Sequence, residues 1–174
     1  MTIKTYYAGV GARKTPKNIL DLMTTFAKKA EEKKAILRSG GAKGADSAFE
    51  AGVVDVANKQ IFTPSSMNVD WERASHLVDT HHPNPGALSS YVRLLMARNA
   101  FQVLGPYLDE PSESVICWTA DGLSTYTTRA TGGTGHAIRI AIANSIPVIN
   151  LGDKDMLKEF IENIESWKEE EENG

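Results

Sequence analysis

Residues 35–48 read AILRSGGAKGADSA, and the fold is predicted from this stretch outward. The short run from Ala35 to Arg38 indicates a strand. The glycine-rich segment Ser39–Gly44 indicates a tight loop, because glycine enters positive φ at no steric cost. Small and apolar residues follow and favour a helix. A strand, a glycine loop and a helix in this order are typical of open α/β sheets.

The same alternation extends over most of the chain. Strands are predicted at 3–10, 35–38, 60–62, 114–118 and 146–151, and helices at 16–33, 45–53, 91–104, 135–144 and 154–170. Alternating strands and helices favour a parallel sheet with helices on both faces, and right-handed crossovers leave few topologies. We predict one α/β, Rossmann-like domain over residues 1–174, with strand order 3-2-1-4-5.

Three segments depart from this alternation. Residues 64–90 contain several prolines and serines and are predicted to form an ordered loop or lid, and residues 119–133 a second long polar loop. Such loops often carry function. The acidic stretch 169–174 is predicted to be a frayed helix end.

Composition limits the class of protein. The lone cysteine, Cys117, lies in an apolar run and is expected to be a buried packing residue. No stretch approaches the roughly 20 apolar residues of a membrane span, so we expect a cytoplasmic protein without a membrane partner. Ten of the 19 lysines and arginines lie in residues 1–43, beside three acidic residues. They form either a solvated helix face or a basic edge for an anionic partner.

The predicted ligand crevice lies where the strand order reverses, beyond the carboxyl ends of the strands. Glycine loops that lead into helices expose backbone N–H groups to an anion, so a phosphate-bearing, nucleotide-type ligand is expected; no other cofactor is predicted. The candidate ligand-binding residues are Gly11, Arg13, Ser39, Gly40, Gly41, Lys43, Gly44, Asp46, Arg98, Asn99, Thr119, Asp121, Gly132, Gly133, Thr134 and Gly135.

Three of the charged candidates have two interpretations each. Arg13 either pairs with a phosphate through its guanidinium fork or is a surface arginine. Lys43 is placed to neutralise a second phosphate. Asp46 either accepts a ribose hydroxyl or is favoured simply as an acid in the first turn of a helix. Arg98 either turns toward the crevice or is solvated.

Two other site classes receive little support. Residues 40–47 do not follow the spacing of a Walker P-loop, which argues against nucleoside triphosphate hydrolysis. His76, Asp79, His81 and His82 have no spacing typical of a zinc site, so no metal is predicted.

Four motifs carry a resemblance to a known family. They are YAGVGAR at 7–13, SGGAKGADSA at 39–48, Arg98-Asn99, and the glycine-rich loop before 137–141. In order and spacing over residues 3–152 they resemble the DprA/Smf (DNA-processing protein A) family, whose motif S-G-G-A-R-G-I-D-x-A has an arginine at the position of Lys43. The resemblance implies a Rossmann-like fold of the wider group that includes LOG-type phosphoribohydrolases.

The chain departs from that pattern in two ways. It has no room for the flanking helical and winged-helix domains of many DprA proteins. The same resemblance implies a short, free-standing version of the fold, and such versions are frequent in phages. Arg139 stands where the LOG-type motif has its catalytic glutamate. An arginine cannot replace a carboxylate in that chemistry, so enzymatic activity is not favoured and no catalytic residue is assigned.

Three functions remain open. The first is a binding protein for a small nucleotide or nucleotide-derived signal, acting as sensor or sponge. The second is a DprA-like single-stranded DNA binder in recombination or DNA processing. The third is a nucleotide N-glycoside hydrolase. The identity of the base, the number of phosphates and the existence of a homo-oligomer are left open.

Overall fold

The computed structural model describes residues 3–174. Five parallel strands form one sheet in the order β3-β2-β1-β4-β5, which confirms the predicted topology. The strands are β1 (Thr5–Gly9), β2 (Ala35–Ser39), β3 (Lys59–Ile61), β4 (Val115–Cys117) and β5 (Val148–Asn150). The helices are α1 (Lys17–Glu32), α2 (Ala45–Ala51), α3 (Trp71–His81), α4 (Ser90–Leu104), α5 (Thr134–Ala143) and α6 (Lys154–Asn173).

Helices cover both faces of the sheet, as predicted. On one face, α3, α4 and α5 pack around Phe101 and Ile138, both of which are fully buried. On the other face, α1, α2 and α6 pack around Phe26, Phe49 and Phe160. Because both faces are buried, the central strands β1, β2 and β4 are largely apolar, whereas the edge strand β3 is half-buried and polar. The ends of the strands carry the loops that can bind a ligand.

Cys117 lies at the end of β4 and is fully buried, as its apolar neighbours predicted. Burial raises the pKa of its thiol to about 12, and the nearby Asp121 carboxylate adds to the shift. The sulfur therefore stays protonated and serves as a packing atom.

The segment 64–90 is not a loop throughout, and the prediction was wrong for its central part. Residues 71–81 form α3, whose first turn is capped by Asp70, a carboxylate that accepts a hydrogen bond from Arg73 N at 3.0 Å. Only Ala74 and Val78 are buried along this helix. Two small buried residues leave too weak an apolar stripe to be distinguished from a polar loop.

The acidic tail is also more ordered than predicted, because α6 continues to Asn173. Glu171 Oε2 lies 2.7 Å from Lys29 Nζ, and Glu170 Oε2 lies 4.0 Å from Lys33 Nζ. Lys33 also lies over the Trp167 ring. Lys29 of α1 and Lys33 directly after it therefore face the acidic helix end instead of forming a basic edge for another molecule.

None of the helices in residues 3–174 is both long and apolar enough to cross a membrane.

Arg38 is the most unusual residue of the core, since its guanidinium is fully buried at the end of β2. It donates to Gln60 Oε1 at 2.9 Å, to Glu110 O at 2.6 Å and to Ser112 Oγ at 3.2 Å. It also pairs with the Glu110 carboxylate at 2.9 Å and lies 3.8 Å from the centre of the Tyr6 ring. Burial lowers the pKa of Arg38, and the Glu110 carboxylate opposes this shift.

Replacing this buried guanidinium is expected to cost more than removing its exposed acidic partner. Arg38→Met should lower the free energy of unfolding by about 2–4 kcal/mol, because it leaves buried acceptors unpaired. Glu110→Gln should cost at most about 1 kcal/mol, because the Glu110 side chain is 56% exposed. Urea unfolding of both variants is the measurement; equal losses would contradict the interpretation.

Candidate functional site

A crevice of about 370 Å³ opens at the carboxyl ends of β1 and β4, where the strand order reverses. We call it the strand-end crevice. Its walls come from the loop after β1, the start of α2, the middle of α4 and the loop that leads into α5. Eight of the predicted residues line it: Gly11, Arg13, Asp46, Arg98, Asn99, Gly132, Gly133 and Thr134.

The other eight predicted residues do not line the crevice and instead surround or support it. Ser39 is buried and donates a hydrogen bond to Gly9 O at 2.6 Å, which joins β2 to β1. Thr119 is buried and donates to Asp121 Oδ1 at 2.7 Å. The remaining members of this group are Gly40, Gly41, Lys43, Gly44, Asp121 and Gly135.

The inner end of the crevice is built around Gly40, the residue that follows β2. Arg98 Nη1 donates a hydrogen bond to Gly40 O at 2.6 Å. A Cβ atom at this position would lie 2.5 Å from Gln102 Nε2, 2.8 Å from Asp46 Oδ2 and 2.9 Å from Arg98 Cζ. Glycine is therefore required here by close packing against three polar side chains.

Gln102 lines the crevice and is a residue that sequence reasoning missed. Its side chain is 1% exposed, yet neither amide atom has a hydrogen-bond partner among residues 3–174. An unpaired buried polar group costs about 1–3 kcal/mol. The signal that could have revealed it is its position four residues after Arg98, because residues i and i+4 share one face of a helix.

Among residues 3–174, Asp46 is the one carboxylate that lines the crevice. It accepts a hydrogen bond from Ala42 N at 3.3 Å and is 4% exposed. Burial raises the pKa of Asp46 to about 6, although the neighbouring Arg98 charge and the backbone amides of Ala42 and Gly40 act in the opposite direction. Its carboxylate therefore changes charge close to neutral pH.

Asp121 organises the loop before α5 and does not line the crevice. It accepts hydrogen bonds from the hydroxyls of Thr119, Thr128 and Thr131 and from Leu123 N. Partial burial raises the pKa of Asp121, but these donors together lower it below its usual value. The loop is thus held in one shape by an ionised carboxylate.

The charge around the crevice favours an anion. Arg13, Lys14 and Arg98 line it against the single acid Asp46. Gly132 and Gly133 are exposed and lead directly into α5. The N–H groups of Gly135 and His136 donate to Gly132 O and Gly133 O, which leaves those of Gly133 and Thr134 without a backbone partner within residues 3–174. Backbone N–H groups at a helix start and several cations are the features of an anion site.

Arg139 does not reach this crevice. Its Nη1 donates to Thr127 Oγ1 at 3.0 Å, and its side chain lines a second cavity on the other side of Gly132 and Gly133. Within residues 3–174, no three of the His, Cys, Asp and Glu side chains lie close enough together to hold a metal ion.

Comparison with known proteins supports the fold. Neither a family model nor a curated protein sequence matches the chain. A solved structure of DNA processing protein A from Helicobacter pylori, described for its unique single-stranded DNA binding mode, matches 91% of this chain and 72% of its own, at 20% identity and a TM-score of 0.56. The chain has the DprA fold. At this identity the match establishes the fold alone, and a phage source stays a prediction.

The DprA fold also accounts for the placement of the motifs that carried the resemblance. Residues 7–13 and 39–48 flank the same end of the sheet and are joined by the hydrogen bond from Ser39 to Gly9 O, and Arg98 of α4 binds Gly40 of the second motif. Gly44 lies beside Arg13, since a Cβ on Gly44 would come within 2.8 Å of Arg13 Cα. Motifs far apart in sequence therefore meet at one crevice.

Titration of Asp46 predicts a pH-dependent stability that one substitution removes. Because the pKa is raised from 3.8 to about 6 in the folded state, the protonated form stabilises the fold below pH 3.8, and this contribution is lost as the pH rises through 6. The loss is on the order of 3 kcal/mol at most. Urea unfolding at pH 4.5 and 7.5 should show a smaller difference for Asp46→Asn than for the wild type. Identical differences would refute the raised pKa.

Proposed function

We propose that the chain binds single-stranded nucleic acid and holds one nucleotide in the strand-end crevice. The observation that carries this proposal is Gln102, a buried amide that lines the crevice with both its polar atoms unpaired. An amide offers a donor and an acceptor side by side, and this pair matches the edge of a nucleic-acid base. A ligand that pairs with it also removes the cost of leaving it buried and unsatisfied.

The phosphate of the ligand is assigned to the cationic side chains and backbone N–H groups at the mouth of the crevice. Arg13 and Lys14 follow β1 at the crevice mouth and are both exposed, so they are available to a phosphate. Gly133, the N-cap of α5, and Thr134, its first residue, supply backbone N–H groups on another side. A volume of about 370 Å³ lies in the usual range of roughly 300–1,000 Å³ for small-ligand pockets, at its lower end.

Two facts favour a strand over a free nucleotide. The Helicobacter pylori protein of the same fold is described for its binding of single-stranded DNA. Basic residues also collect near the crevice, although the whole chain has a net charge of -3. A protein of this net charge needs a local basic groove to bind nucleic acid, and the crevice mouth is such a place.

A free nucleotide or a nucleotide-derived signal is the second candidate. The observation in its favour is the limited size of the crevice, which holds about one nucleotide. In that case the chain acts as a sensor or sponge. Glycoside hydrolysis of the LOG type has no comparable support, because Arg139 occupies the position of the expected glutamate and faces another cavity.

Salt dependence separates the two candidates. Binding of a fluorescein-labelled ten-nucleotide oligothymidylate, followed by anisotropy from 25 to 300 mM NaCl, should weaken linearly on a log-log plot, with a slope of roughly -0.7 for each phosphate contact. A protein that recognises only a free nucleotide should bind thymidine monophosphate at least as tightly as the oligonucleotide. Absence of oligonucleotide binding at the lowest salt contradicts the strand proposal.

A glycine variant tests whether the ligand contacts the rim of the crevice. Gly133 has a helical φ of -63°, and an added Cβ would meet only Met96 Cε at 3.4 Å, so Gly133→Val should fold normally. Its side chain would crowd the rim and reduce affinity by roughly tenfold or more, as expected when a charge-assisted hydrogen bond is lost. Gly86→Val is the matched control, because nothing lies within 4 Å of a Cβ there. Equal affinities of the two variants would exclude this rim from the site.

A further inference from the structure

A second cavity lies beyond the rim of the strand-end crevice and is not explained by the binding of one nucleotide. Its volume is about 680 Å³. We call it the Arg139 cavity. One side carries cationic and hydroxyl groups, and the other is apolar; the groups used below are Arg129, Arg139, Thr127, Leu88, Val92 and Met96.

Arg139 carries a charge that nothing in the described chain balances. Its guanidinium donates to Thr127 Oγ1, while its buried Nε has no partner. No carboxylate of residues 3–174 lies within 4.0 Å of it, and neither Asp nor Glu lines the cavity. Burial lowers the pKa of Arg139. A partly buried arginine in this state is stabilised by an anion.

The uncompensated charge of Arg139 also affects the pKa values of the neighbouring histidines. His136 is fully buried behind the cavity, and burial followed by the Arg139 charge lowers its pKa to about 3. Burial and Arg139 also lower the pKa of His81 and of His82. These imidazoles are therefore neutral at physiological pH and leave the arginines as the charged groups of this cavity.

The ridge between the two cavities has no side chains. Gly132 and Gly133 border both cavities, and Met96 lines both from below. Gly132 has a φ of +74°, a conformation that favours glycine, and nothing lies within 4 Å of its Cβ position. A flexible chain can pass over this ridge without steric hindrance.

We propose that the Arg139 cavity is a second nucleotide subsite. It binds the nucleotide next to the one in the strand-end crevice. This inference rests on the proposed function. The guanidinium forks of Arg129 and Arg139 bind the linking phosphodiester, since arginine pairs with phosphate through two parallel hydrogen bonds. The apolar wall of Leu88, Val92 and Met96 receives the base. The ligand is then an oligonucleotide of at least two residues.

Calorimetry with two defined ligands tests this subsite. The probes are thymidine 5′-monophosphate and the 5′-phosphorylated dithymidylate. The wild-type protein should bind the dinucleotide roughly tenfold or more tightly than the mononucleotide, as one additional charge-assisted contact implies. Arg139→Gln should reduce dinucleotide affinity to about that of the mononucleotide and leave mononucleotide affinity unchanged within about twofold.

A second cavity variant and a control variant complete the test. Arg129 is exposed, so Arg129→Gln should fold normally and should also weaken only the dinucleotide. Arg73→Gln removes the same charge from an exposed arginine outside both cavities and should change neither affinity.

The possible results separate the subsite from the crevice. The subsite is overturned if both cavity variants bind the dinucleotide as the wild type does, if they weaken both ligands equally, or if Arg73→Gln has the same effect. In these cases mononucleotide binding that Arg13→Gln weakens would still support the crevice, because Arg13 lines the crevice and not the Arg139 cavity. If the wild-type protein binds neither probe, the proposed function and the subsite both fail.

Discussion

The hydrogen bond from Arg98 to the carbonyl oxygen of Gly40 is the contact on which the site depends. It joins the middle of α4 to the loop after β2, and these two elements lie 58 residues apart in sequence. Because Gly40 has no side chain, Arg98, Asp46 and Gln102 converge within 3 Å of its Cβ position. Any larger residue there would displace at least one of them. The geometry of the crevice therefore follows from one backbone contact between a helix and a loop.

This contact also gives the polar side chains around Gly40 different roles. Arg98 is partly satisfied by the Gly40 carbonyl and by the charge of Asp46, so its first role is to hold the loop. Gln102 is left without a partner for either of its amide atoms, and Arg98 Nε is a further unpaired buried group of the same cluster. An unpaired buried polar group is costly, so a ligand that pairs with the Gln102 amide is favoured. The cations at the mouth supply affinity, whereas the amide supplies orientation.

The sequence predicted those features that local patterns determine. The alternation of strands and helices predicted the sheet order, and the glycine loops predicted the location of the crevice, because strand, loop and helix are contiguous in sequence. Gln102 was missed because its importance arises from Gly40, which only the folded chain brings near. The helix α3 was missed because it buries just Ala74 and Val78. Arg139 was placed by its motif position alone, and its rotation about α5 toward Thr127 cannot be read from spacing.

The central claim is that a nucleic-acid residue pairs with the buried amide of Gln102. Nitrogen-15 NMR of the 19.0 kDa chain, titrated with a short oligothymidylate, tests it directly because side-chain amide resonances report their own hydrogen bonds. The account predicts that the Gln102 side-chain resonances shift together with the backbone amides of Gly11 and Gly133 and saturate at the same concentration. Unchanged Gln102 resonances at saturation, with shifts confined to other surfaces such as α1 and α6, would contradict it.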